Sequence, residues 1–178
     1  MNSVRLFLIL ILTISIGSMS FDLPSNLQKK IAKEIKSAFN IESYELDEIT
    51  IADSINLQLS TKIKKEKLFK IVLNDELLGY AFIDKAPSKT DEFDYLVLFD
   101  ESLIIKKAKI LIYREDYGGE IGSKRWLKQF IGKKGKDILV YEKDIIAISG
   151  ATISANSMTI AVNKLLQSVG ELQKHKVL

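Results

Sequence analysis

Apolar residues recur every four positions at Leu27, Ile31, Ile35 and Phe39, with Ala38 beside them, while Lys29, Lys30, Lys33, Glu34 and Lys36 fill the other side. This spacing predicts an amphipathic helix over residues 21–40. Pro24 suits its first turn, and Asp22 or Ser25 can cap it. Residues 41–67 take no firm assignment, with β-rich pieces at 48–51 and 55–59 and then a charged stretch. From Leu68 the pattern becomes strand-like. Residues 68–73 and 78–84 flank Asn74-Asp75-Glu76, which predicts a hairpin, and Gly79 marks a bulge or a close approach. Residues 86–91, with Pro87, read as a loop, 95–99 as a strand, Asp100-Glu101-Ser102 as a turn and 103–113 as another hairpin arm. A short helix is predicted over 123–131, with Ser123 as its cap and Trp126, Leu127 and Phe130 on one side. Apolar runs at 138–141 and 145–148 precede a final amphipathic helix over 154–173. Met158, Val162, Leu165, Leu166 and Val169 form its stripe.

These elements predict an α+β fold, an antiparallel, hairpin-built curved sheet packed by helices. Hairpin connections argue against a doubly wound sheet. The domain organisation expected is a signal peptide or N-terminal anchor at 1–20, a helix and extension at 21–67, and a binding domain at 68–178. Arg5 precedes an apolar stretch at 6–16, which Gly17 breaks before Ser18 and Ser20, the order of a secretory signal. The stretch is shorter than the ~20 residues that cross a bilayer comfortably. An extracytoplasmic domain is therefore expected, with the anchor either cleaved or retained.

At 178 residues the chain suffices for one ordinary domain. Apolar residues at 47% and charged residues at 28% mark a folded protein rather than a disordered one. Without residues 1–20 it keeps 25 basic and 23 acidic residues, too even a balance to imply nucleic acid. Lys106, Lys107 and Lys109 lack interleaved aromatics and read as solvated or edge-guarding. The absence of cysteine excludes thiolate metal sites and iron–sulfur clusters, and the single histidine, His175, sits near the C-terminus. Chemistry must come from carboxylates, hydroxyls or a borrowed cofactor.

The segment of greatest interest is Ser149-Gly150-Ala151-Thr152, between an apolar run read as a buried strand and the last helix. Small side chains leave room for a bulky group, and the start of a helix favours an anion such as phosphate. Hydroxyls of Ser149, Thr152 and Ser154 can donate to phosphate oxygens or be esterified. The same residues are also plain capping chemistry, and spacing alone favours that reading. Upstream, Gly118, Gly119 and Gly122 permit close backbone approach. Glu115 and Glu120 are carboxylates near them, though surface acids are common. Trp126 can stack on a flat ring, but a lone tryptophan beside Leu127 and Phe130 is more often core.

The segment 146–154 resembles the FMN-binding domain of the flavin subunits of the sodium-translocating NADH:quinone reductase and Rnf complexes, and of related stand-alone extracytoplasmic flavoproteins. The family's motif runs Asp-x-x-Ser/Thr-Gly-Ala-Thr, then a residue, then Thr/Ser and a helix. Leu78-Gly79-Tyr80-Ala81 is similar to its early Val-Gly-Tyr-Ala strand. Residues 115–120 followed by Trp126, Phe130, Gly132 and Lys133 take the place of its glycine segment and Phe-x-Gly-Lys ending. The family's Asp is Ile146 here, with Asp144 two residues earlier, and its Pro and Leu are Tyr117 and Gly119.

The resemblance implies FMN joined by a phosphoester to Thr152, made from FAD by a flavin transferase that recognises the motif. Ser149 and Ser154 would be phosphate partners or caps, Gly150 and Ala151 would keep the approach open, and Gly118 and Gly119 would let backbone near the flavin. It implies a redox carrier rather than a stand-alone catalyst, in the periplasm or on the outer face of the cytoplasmic membrane, served by a membrane-bound reductase. Two other readings stay open: a module binding FMN or another phosphorylated ligand reversibly, and an envelope domain without cofactor.

Overall fold

The computed structural model describes residues 24–178; the signal or anchor expected at 1–20, and Asp22 as a cap, lie outside them. Five strands form one antiparallel sheet in the order of the chain: β1 (Glu45–Glu48), β2 (Leu68–Leu73), β3 (Glu76–Pro87), β4 (Glu92–Asp100) and β5 (Ile105–Ile112). Helix α1 (Ser25–Phe39) covers one face. The other is covered by α3 (Lys124–Leu127) and α4 (Thr152–Lys174), while α2 (Asp53–Asn56) is a single turn between β1 and β2. The fold is α+β. Among the described residues no helix is long and apolar enough to cross a membrane.

Alternation along β4 explains the two layers. Phe93, Tyr95, Val97 and Phe99 join the core beneath α4, and Leu96 and Leu98 join the core beneath α1. A strand buried on both faces reads as a continuous apolar run, as 95–99 does. On α1, Leu27, Ile31 and Ile35 are buried, each contributing at most about 1.5–3 kcal/mol. The helix carries no side-chain cap. Pro24 stands before its first turn, and its carbonyl accepts from the amides of Leu27 (2.9 Å) and Gln28 (3.1 Å). The lysines of β5 are tied to this helix: Lys107 pairs with Glu34 at 2.6 Å and Lys106 lies over the Phe39 ring.

The β2–β3 hairpin is as expected, but its turn is shorter, since Glu76 pairs with Leu73 and belongs to β3. Asn74 and Asp75 both have positive φ (52° and 65°), the backbone of a two-residue primed turn. The register shifts between Ile71 and Val72, opposite Gly79, where a Cβ would stand 2.1 Å from the Phe99 carbonyl oxygen. Both a bulge and a close approach meet at that glycine.

Four expectations are corrected. Residues 86 and 87 belong to β3, since Ala86 pairs with Phe93 and Pro87 with Glu92, so the loop shrinks to 88–91. The piece at 55–59 begins in α2 rather than a strand, and the strand near 48 lies earlier, at Glu45–Glu48. The helix expected over 123–131 breaks into α3 and a 3-10 turn at Lys128–Phe130, with Ser123 Oγ capping the Trp126 amide at 3.2 Å. Residues 138–141 and 145–148 form no strand beyond an isolated Tyr141–Ile145 bridge. Ile145 and Ile148 are buried, but Ile146 is 70% exposed. Its amide donates to Gln129 Oε1 (2.9 Å) and its carbonyl accepts from Trp126 Nε1 (2.7 Å), so side chains replace a ladder.

Candidate functional site

Helix α4 starts at Thr152 because Gly150, at φ 76°, turns the chain and Ala151 opens the first helical bond, to the Ala155 amide at 2.9 Å. Ala151 offers no side-chain cap, which leaves the first-turn N–H groups of a 23-residue helix for another acceptor. Ser154 is buried, with its Oγ 3.1 Å from the Tyr113 hydroxyl. Thr152 is exposed.

The glycine segment comes to the same place. Gly118 has φ 79°, and a Cβ built on it would lie 2.4 Å from the Ala151 Cβ and 2.9 Å from the Gly150 carbonyl oxygen. Only glycine combines that left-handed backbone with that approach. Between the two segments lies a cleft of about 450 Å³, lined by Lys89, Tyr113, Glu115, Tyr117 and residues 150–154. Its size falls within the ~300–1,000 Å³ of small-molecule sites. Tyr117 is 80% exposed and presents an aromatic face.

Glu115 is bound on its outer side to the β3–β4 turn. It accepts from the Thr90 amide (2.7 Å) and hydroxyl (2.9 Å) and from the Asp91 amide (3.3 Å). The Ser88 hydroxyl and these Thr90 and Asp91 donors hold its carboxyl down to about 2. Ser88 has one hydroxyl proton, however, and gives it to the Asp91 carbonyl oxygen at 2.7 Å. The donors of Thr90 and Asp91 therefore account for the direction.

Residues 89–167 match the model of the FMN-binding domain family. This stretch is an FMN-binding domain. FMN is its cofactor, which sets the cofactor-free reading aside. No curated protein matches the chain. The matched stretch runs from the β3–β4 turn into α4 and contains all the residues that line the cleft. The donor set of the cleft suits a flavin mononucleotide: uncapped helix N–H groups, the Thr152 hydroxyl and the Lys89 ammonium for a phosphate, and tyrosines for a flat ring.

Of the residues singled out from the sequence, Gly150, Ala151, Thr152 and Ser154 line the cleft of this FMN-binding domain, and Gly118 packs against its wall. Ser149 is exposed and lies outside the lining, as does Gly119, where a Cβ would meet nothing within 4 Å. Trp126 is 5% exposed, packs edge-on against Phe130 at 5.3 Å and binds the Ile146 carbonyl, so its ring lies in the core and not in the cleft. Lys89, Tyr113 and Tyr117 were not singled out. Lys89 sits 63 positions before Thr152, in a stretch read only as a loop, and no local pattern marks it.

Proposed function

We propose that this chain is an extracytoplasmic electron carrier whose FMN is joined by a phosphoester to Thr152. The observation that supports the site is the exposure of Thr152 at the uncapped start of α4, in a cleft within the FMN-binding domain. In the loading step, Thr152 Oγ attacks the phosphorus on the riboflavin side of FAD. The pyrophosphate bond breaks, AMP leaves, and the hydroxyl proton passes to solvent. A flavin transferase catalyses this. Once bound, the flavin supplies one- and two-electron chemistry, and the protein supplies position and electrostatics. Reduction by a membrane-bound reductase fits a location in the periplasm or on the outer face of the cytoplasmic membrane, with residues 1–20 as the export signal or anchor.

A second reading, reversible FMN binding, is favoured by one observation. Ile146 stands where the motif has an aspartate, and Asp144, the nearest carboxylate before it, is committed to its own turn, accepting from the Val140 amide at 2.8 Å. Intact-mass spectrometry of denatured protein, co-expressed with a flavin transferase, separates the two. A gain of one FMN that maps to the Thr152 peptide and vanishes in Thr152→Ala supports the ester. Flavin colour that is lost on dialysis, with no mass gain, supports reversible binding.

A further inference from the structure

The turn between β3 and β4 is fastened on both sides of Lys89. Before it, Ser88 closes the turn through its amide and hydroxyl, both donating to the Asp91 carbonyl oxygen at 2.7 Å. After it, the Thr90 amide and hydroxyl and the Asp91 amide are bound by Glu115. Arg114, next to Glu115, adds a bond to the Glu92 carbonyl oxygen (2.6 Å) and an ion pair with Asp94, which is 5% exposed. Two segments far apart in the chain are thus cross-tied at the end of the sheet where the cleft lies.

Lys89 stands between these ties and lines the cleft together with Thr152. It is the one cation of the lining, and among the described residues it is in no ion pair. The one carboxylate of the lining, Glu115, has its oxygens engaged by the turn and stays ionised down to about pH 2. An exposed lysine in no ion pair contributes little to the stability of the fold. A lysine on a cross-tied turn, at a cleft that takes an anion, loses little backbone freedom when that anion binds.

We infer that Lys89 is the cation that pairs with the phosphate of FMN, and that Glu115 is a positioning residue that holds the Lys89 turn over the cleft. This rests on the FMN reading of the cleft. The ammonium and the first-turn amides of α4 would bind the phosphate from separate elements, β3–β4 turn and helix, and the charge-assisted contact would weaken with salt.

The test is a fluorescence titration of the full chain, expressed without a flavin transferase, with FMN and with riboflavin, which lacks the phosphate. Lys89→Gln is expected to weaken FMN about tenfold, to flatten the salt dependence and to leave riboflavin unchanged. Lys89→Arg restores most of the FMN affinity. Glu115→Ala weakens FMN in the wild-type background and adds no loss to Lys89→Gln. A wild type that binds neither free flavin overturns the Lys89 pairing, and one that also gains no FMN mass on co-expression with a flavin transferase overturns the FMN reading of the cleft with it. A wild type that binds FMN while Lys89→Gln changes nothing, or weakens both flavins equally, overturns the Lys89 assignment alone. Tighter FMN binding by Glu115→Ala would make Glu115 a bare repulsive charge and overturn its positioning role.

Discussion

Gly118 lies directly against Ala151, with room for no side-chain atom between them: a Cβ on the glycine would stand 2.4 Å from the alanine's. This contact joins the glycine segment after β5 to the start of α4, beside the cleft that Ala151 lines. Gly118→Ala therefore meets both a left-handed φ of 79° and a clash with backbone and side chain. The backbone term alone costs on the order of 1–3 kcal/mol. A thermal melt and an FMN titration are expected to show a lower midpoint and at least tenfold weaker binding. Wild-type values for both would mean that the segment yields easily and does not shape the site.

The aromatic residues divide by burial. Tyr117 is 80% exposed and lines the cleft, so Tyr117→Ala is expected to weaken FMN and riboflavin alike while shifting stability by no more than about 0.5 kcal/mol. Trp126→Phe removes the bond to the Ile146 carbonyl oxygen and is expected to cost about 1 kcal/mol of stability. The visible spectrum of the bound flavin should not change with it. A spectral change with Trp126→Phe and none with Tyr117→Ala would reverse the assignment of the ring contact.

Glu115 gives the fold an acid-sensitive tie. Its carboxyl is held down to about 2 from an ordinary 4.5, a lowered value, so the stabilisation is complete above the unfolded value and fades as pH falls through the folded one. Between about pH 4.5 and pH 2 the tie to the β3–β4 turn is lost. Unfolding midpoints of wild type and Glu115→Gln, measured from pH 6 to pH 2.5, should differ most at the upper end and converge toward the lower. A constant gap over that range would show that the carboxylate charge takes no part in holding the turn.

Helix α1, helix α4 and the β2–β3 hairpin were legible from the chain alone because each is set by contacts between near neighbours. A four-residue apolar spacing at Leu27, Ile31 and Ile35 has one helical solution, and Asn74-Asp75 accept the positive φ that a tight hairpin demands. The small residues at 149–151 left both a capped turn and an open helix start possible, and the structure has Ala151 there with no side-chain cap. Tertiary structure decided what local pattern leaves open. The run at 145–148 carries no period, and it became a loop because Trp126 and Gln129 bind its backbone where no strand edge is offered. Trp126 went to the core, since its N–H found a carbonyl there. The cleft itself joins Lys89 to Thr152 and Gly118 to Ala151, pairs remote in sequence that only the antiparallel meander and the return of α4 across its face bring together. The hydroxyls at the start of α4 stand together in the sequence, whereas Lys89 reaches the same cleft only through the sheet.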